Sequence, residues 1–292
     1  MIALGYLLKR FNILKTKDGE ALSRIVFNIT LPALIITTFD QMKLEMSLVL
    51  LIISAFVYGV IMAFISFIVY KKESNKIKGM LSMMLPGFNI GLFAYPLVEG
   101  IWGDAGIKYF GMFDVGNAFI VFGVIYLIGS FYSAEDEKVK LDVKNVVFRM
   151  SKSIPLMTYI IVFILNLFGW HFPTFFLDTT KIISVANMPM SLLLLGVFLN
   201  FRFDKGYNKL LAKYLSLRYG IGLSLGVLLF FILPFEDMFK YTLLVGLILP
   251  TSVSVLPYAI EFGYDQKFVG TLSNITILLS FVLLWGIGNI IM

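Results

Sequence analysis

Apolar residues run in long stretches at 22–39, 46–70, 80–98, 105–132, 154–170, 175–200, 210–234, 239–260 and 268–292, separated by short polar or charged intervals. About 20 apolar residues suffice for a helix to cross the hydrocarbon core of a bilayer. The pattern therefore predicts nine membrane-crossing helices. A shorter apolar piece, Met1 to Leu8, precedes Lys9 and Arg10. At about 1.5 Å per residue it covers only about 12 Å of a roughly 30 Å core. It reads as the end of a further span whose start lies upstream. A cleaved leader would need a basic stretch ahead of the apolar run and a small-residue site behind it, and neither is present here.

Composition agrees with this pattern. The 292 residues are 59% hydrophobic, 16% aromatic and 14% charged, with a mean hydropathy of +0.90. A water-soluble domain of this size carries far fewer apolar residues, so a soluble enzyme is excluded. The absence of cysteine excludes disulfides and thiolate chemistry, and a single histidine excludes a histidine-rich metal centre. No Gly-x-x-x-x-Gly-Lys-Ser/Thr segment cradles a nucleotide phosphate.

The formal charge of +6 is a matter of topology. One set of loops receives Lys9, Arg10, Lys15, Lys17, Lys71, Lys72, Lys76, Lys78, Lys138, Lys140, Lys144, Arg149, Lys152, Arg202, Lys205, Lys209, Lys213 and Lys267. The other set receives only Lys43, Lys108, Lys181 and Lys240. Eighteen against four places the first set in the cytoplasm. Arg24 and Arg218, near span ends, read as side chains that snorkel to the cytoplasmic interface. The longest loop, 133–153, carries Glu135, Asp136 and Glu137 and then apolar residues at helical spacing. It reads either as an amphipathic helix on the membrane surface or as a solvated connector.

The two halves of the chain rhyme. Asn28-Ile29-Thr30-Leu31-Pro32-Ala33-Leu34 recurs loosely as Ala186-Asn187-Met188-Pro189-Met190-Ser191-Leu192, with the prolines 157 residues apart. Pro86 to Pro96 is mirrored by Pro250 to Pro257, with Pro86 and Pro250 164 apart. Each is followed by a turn with glycine and aspartate, Gly103-Asp104 and Gly263-Tyr264-Asp265. The aspartates read as helix N-caps. Counting the stub, each copy has five spans, an odd number, so the second copy enters the bilayer from the opposite face. This predicts a first repeat over 1–132, a linker over 133–153 and an inverted second repeat over 154–292.

A proline inside a helix removes a backbone donor and clashes with the carbonyl four residues back. The pairs Pro86 with Pro96 and Pro250 with Pro257 therefore predict two interrupted helices. Freed backbone groups cannot face lipid and must be buried in protein or line a wet cavity. Half-helix N-termini carry positive partial charge and C-termini negative, so the crossing of two such helices offers a receptor for a small anion, with carbonyls nearby for a cation.

At these residues the chain resembles the auxin efflux carrier family, the bacterial and plant carriers that include malate and malonate permeases. Asn89-Ile90-Gly91-Leu92-Phe93-Ala94-Tyr95-Pro96-Leu97 resembles the family's Asn-x-Gly-x-x-Gly-x-Pro-Leu stretch, with Ala94 where glycine is usual. Phe27 to Leu34, Pro189 with Leu192 to Gly196, and Pro250 with Tyr258 to Gly263 also fit. The resemblance implies an all-α integral membrane fold of ten helices in two inverted five-helix repeats. The fourth and ninth spans would cross, as in sodium–proton antiporters and bile-acid symporters. It also implies carriage of organic anions.

Asn89 lies inside the first break, where its amide can contact a carboxylate or mend the broken helix; the resemblance places a substrate-contacting asparagine here, next to Gly91. Thr251, Ser252 and Ser254 are the polar counterparts in the second break, as caps or as ligands. Asp114 lies about ten residues into the fifth span, with Asn117 on the same face. A carboxylate at such depth is costly and faces the bundle interior. It reads as a proton carrier, a cation ligand or a buried hydrogen-bond partner. His171 reads as interfacial.

The expected function is secondary transport of small organic anions by alternating access, in the cell membrane. No cofactor is expected, and coupling to H+ or Na+ stays open. The expected partners are a small organic anion and membrane lipid, with a homodimer compatible and nucleic acid excluded. The alternatives are a passive channel, a sensor on a carrier scaffold, and, ranked last, a membrane enzyme.

Overall fold

The computed structural model describes residues 1–40, 42, 45–133, 143–199 and 208–291. Helices dominate, and no strand forms among the described residues beyond one isolated bridge. After α1 (Ile2–Arg10), α2 (Thr16–Ile25) continues through a π-helical turn at Val26–Thr30 into α3 (Leu31–Phe39). Then come α4 (Met46–Val69) and α5 (Asn75–Met84). A π turn at Ile90–Ala94 leads into α6 (Tyr95–Phe119), and another at Ile120–Ile125 into α7 (Tyr126–Ser133). The second half holds α8 (Val143–Lys152), α9 (Ile154–Leu167), α10 (Thr174–Val185), α11 (Asn187–Phe198) and α12 (Asn208–Ile232). It ends with α13 (Asp237–Gly246), α14 (Val255–Glu261) and α15 (Gln266–Ile291).

Among the described residues six runs are long and apolar enough to cross a membrane, where the hydrophobic pattern predicts nine spans. The difference has a physical origin. The 44-residue run Ile90–Ser133 joins the second half of an interrupted span to the span that follows it, because the chain turns back at Gly103, with φ 58 and ψ −141. A Cβ on Gly106 would lie 2.5 Å from the carbonyl oxygen of Val98, whereas eight residues of straight helix would separate the two by about 12 Å. Gly263, with φ 66, makes the corresponding turn in the second half. The stretches at 80–98 and 239–260 are interrupted rather than continuous, and α9 is a shorter apolar helix of 14 residues.

Helix packing relies on glycine where backbones approach closely. A Cβ on Gly116 of α6 would sit 2.1 Å from the Ile52 carbonyl of α4, and one on Gly196 of α11 would sit 2.0 Å from the Ile2 carbonyl of α1. Small residues at such contacts give lipid-embedded helices their van der Waals contact.

Polar contacts agree with the two faces assigned from charge. Lys9 Nζ donates to the Leu199 carbonyl at 2.9 Å, and Lys213 Nζ to the Val69 carbonyl at 3.0 Å, both within the basic set. On the other face Lys108 approaches Glu45 at 4.0 Å, and His171 Nδ1 lies 2.8 Å from the Asp40 carbonyl. Asp265 caps α15, accepting from the N–H of Phe268 at 3.1 Å. Within the 133–153 linker α8 is helical, while Glu135, Asp136 and Glu137 lie outside the described residues, as do Lys43, Lys138, Lys140, Arg202 and Lys205.

Candidate functional site

Two rods break and cross at the centre of the fold. The first stops at Met84 and resumes at Ile90, and the second stops at Gly246 and resumes at Val255. Between them Phe88 and Thr251 form an antiparallel bridge, and the Asn89 N–H donates to the Pro250 carbonyl at 2.9 Å. Pro86 and Pro250 lie within the breaks. Pro96 and Pro257 break nothing. Pro96 follows directly on the π turn, at the start of α6, and Pro257 falls in the first turn of α14, where a missing N–H costs no helix bond.

The freed backbone groups are met from neighbouring helices. Asn117 brackets the Phe88 peptide, its Oδ1 accepting from the N–H at 2.9 Å and its Nδ2 donating to the carbonyl at 3.1 Å. The Met84 carbonyl accepts from Thr251 Oγ1 at 2.6 Å and Tyr214 OH at 2.8 Å. Thr251 is thus turned to the end of α5 and does not line the cavity described below, which sets it apart from its expected place beside Ser252 and Ser254.

Arg218 corrects a second expectation. It is 1% exposed and does not reach the interface. Its Nη1 donates to the Leu85 carbonyl at 2.8 Å, its Nη2 to Gly87 at 3.0 Å and Leu249 at 2.9 Å, and its Nε to Leu249 at 3.2 Å. The carbonyl ends of both rods draw it inward, because they supply the partial negative charge that lipid headgroups would supply at the interface. These are the carbonyls that the sequence leaves free for a cation. Arg24 is exposed.

A cavity of about 1520 Å³ reaches the crossing. Exposed Glu20, Lys152 and Lys267 stand at its mouth, on the face of the basic set of loops, with Asn89, Gly91, Ser252 and Ser254 at its base. Asn89 is 2% exposed; its Oδ1 accepts from the Leu92 N–H at 3.3 Å, capping the resumed helix, while its Nδ2 has no partner. One atom mends the helix and the other is left without an acceptor. Ser252 Oγ accepts from the Ser254 N–H at 3.3 Å, turning the start of α14 to the same space.

Asp114 lines the cavity wall with Asn117 and Tyr159. Its Oδ2 accepts from Tyr95 OH at 3.0 Å and Tyr159 OH at 3.5 Å, and its Oδ1 from Asn117 Nδ2 at 3.2 Å. The two tyrosine hydroxyls also touch each other. The sequence offers no signal for this pair: Tyr159 comes from α9 and is one of 14 tyrosines. Asn117 therefore links the carboxylate directly to the crossing strand. Among the described residues no group of three acidic or histidine side chains could hold a metal ion.

On the opposite face a recess of about 530 Å³ is lined by Thr37, Thr38, Asp40, Lys108, Asp178 and Lys181 among others, and shares no residue with the larger cavity. Between the halves, Thr30 Oγ1 donates to Asn187 Oδ1 at 3.0 Å. These two residues are 157 apart, the spacing of Pro32 and Pro189.

Comparison with known proteins adds three findings. The model of a family described as membrane transport protein matches residues 1–287. A protein of Methanothermobacter thermautotrophicus described as an uncharacterized transporter is 26% identical over 296 residues, 98% of this chain and 94% of that protein. Another so described, from Methanocaldococcus jannaschii, is 24% identical over 312 residues, again 98% of this chain and 94% of that protein.

Proposed function

The chain belongs to the membrane transport protein family, that of the auxin efflux carriers, and on this premise we propose that this multi-pass membrane protein is a secondary carrier of small organic anions, carboxylates such as malate foremost. The observation that carries the reading is the unpartnered Nδ2 of Asn89, 2% exposed and at the base of the cavity. It is a donor with nothing to donate to, placed where a helix resumes. The first N–H groups of a helix lack intrahelical acceptors, and its N-terminus carries about half a positive charge. The starts of the Ile90 helix and of α14 both border the same space, so a carboxylate there would meet donors from two sides.

Lys9, Lys152 and Lys267 around the mouth favour approach of an anion from the cytoplasm, with Glu20 opposing them. The cavity reaches the crossing from that face while the outer recess shares none of its lining, the geometry of an inward-open state in an alternating-access cycle. The inverted repeats over 1–132 and 154–292 supply the symmetry for such a cycle, and the Thr30–Asn187 bond between residues of equal repeat position supports them. A membrane potential of 100 mV would drive export of one negative charge with about 2.3 kcal/mol.

The test is counterflow in proteoliposomes. Vesicles loaded with unlabelled malate accelerate uptake of labelled malate if the protein is a carrier. A panel of other dicarboxylates and aromatic acids then ranks the substrates. Asn89→Ser keeps an oxygen able to cap the helix but loses Nδ2, and uptake falls by about tenfold or more, as for a lost hydrogen bond to a charged group. Uptake across the panel without acceleration from the far side would indicate a channel instead, and full uptake by Asn89→Ser would remove the proposed contact.

A further inference from the structure

At the opposite pole of the crossing the interrupted rods end rather than begin. Five N–H groups leave a guanidinium, and Arg218 uses all five: one from Nε to Leu249, two from Nη1 to Leu85 and the Tyr214 hydroxyl, and two from Nη2 to Gly87 and Leu249. Its plane lies over the Phe88 ring, 4.9 Å from the centroid. Among the described residues no carboxylate forms a salt bridge with it. Asp114, the acid on the cavity wall, is held by Tyr95, Tyr159 and Asn117 instead.

A buried guanidinium without an acid needs another counter-charge. The ends of α5 and α13 supply it, since each helix C-terminus carries about half a negative charge, and two such ends sum to about one. One guanidinium balances them. A metal cation would need the same carbonyl oxygens, and would add a charge that nothing else there offsets.

We propose that Arg218 is the resident cation of the crossing: it occupies the carbonyl groups of Leu85, Gly87 and Leu249 permanently, so that no exchangeable monovalent metal ion binds between the rods. The geometry stands independently of which anion is carried. Its consequence for coupling rests on the carrier reading: a driving ion, where there is one, acts at Asp114 and not at the carbonyl pole. Arg218 is a positioning residue, acting through the backbone that it holds, and α12 contributes it together with Tyr214 one turn earlier.

The test uses the purified full chain and needs no substrate. Thermal unfolding is followed for wild type, Arg218→Ala and Arg218→Lys in choline chloride, in NaCl and in choline chloride with low millimolar methylguanidinium. Three buried carbonyls lose their donors in Arg218→Ala, and Tm falls on the order of 10 °C. Methylguanidinium restores at least half of that loss in Arg218→Ala and leaves wild type unchanged. A fall in Tm without rescue would show that Arg218 only fills space, and would overturn the proposal.

If Arg218→Ala does not fold, Arg218→Lys carries the same reading. A compact ammonium reaches fewer of the carbonyls, so Tm falls while the charge is kept; an unchanged Tm would overturn the proposal. A further arm measures equilibrium binding of radioactive Na+ to Asp114→Asn, which lacks the acid of the cavity wall but keeps Arg218. No saturable binding is expected, and saturable binding would overturn the proposal. None of these readouts depends on transport, so a negative malate assay and a failed rescue are separate results.

Discussion

Asp114 stands where an entering carboxylate would meet a like charge. It shares the cavity wall with Asn117, and Asn117 holds the peptide next to Asn89. An ionised acid there opposes an anion; a protonated one does not. If carriage is coupled to protons at Asp114, uptake from the cytoplasmic face rises as the pH on that face falls. Asp114→Asn, permanently neutral, binds the anion at every pH, and its rate becomes flat with pH. Counterflow rates measured across a pH series check this, and a mutant profile that follows wild type would remove Asp114 as the proton carrier. The residues that border the breaks, Asn89, Ser252 and Ser254, are legible in the sequence because a proline-broken helix must bring its polar neighbours to a wet space. Arg218 and Thr251 are not. Each is tied to backbone far away in the chain, at separations of 133 and 167 residues for Leu85 and Met84, and nothing in their local sequence marks that tie.

At the scale of the elements, the prolines show what local sequence can and cannot say. Pro86 and Pro250 interrupt their rods as expected, whereas Pro257 sits at a helix start that tolerates it and Pro96 falls directly after the π turn of the rod that resumes at Ile90. The apolar pattern located the spans, but interruption and the turn at Gly103 decide how many continuous helices they become. Packing between elements is less legible still. Gly116 of α6 and Gly220 of α12 look alike in the sequence, yet a Cβ on the first would lie 2.1 Å from the Ile52 carbonyl, while one on the second meets nothing within 4 Å. Gly116→Ala forces α4 and α6 apart and costs on the order of 1–3 kcal/mol, as overpacking does. Gly220→Ala removes a flexible residue from a helix and is neutral or stabilising by up to about 1 kcal/mol. Unfolding of the two variants in detergent distinguishes them, and equal stabilities would contradict the close approach of α4 and α6.

Over the whole molecule, the described lining of the cavity shares no residue with the recess on the opposite face, and the chain's lack of cysteine makes the two sides easy to probe. In oriented vesicles Ser254→Cys reacts with a membrane-impermeant maleimide applied from the cytoplasmic side, and Lys108→Cys reacts from the other side. Labelling of Ser254→Cys from the outer side alone would place the resting state outward-open. Arg218 also bears on how the chain is made. Leu85 and Gly87 are synthesised 133 and 131 residues before the guanidinium that satisfies them. At about 5–20 residues per second, a ribosome needs on the order of 10 s to deliver it. During that wait the first half sits in the bilayer with open carbonyls, and insertion machinery or water must shelter them until α12 arrives.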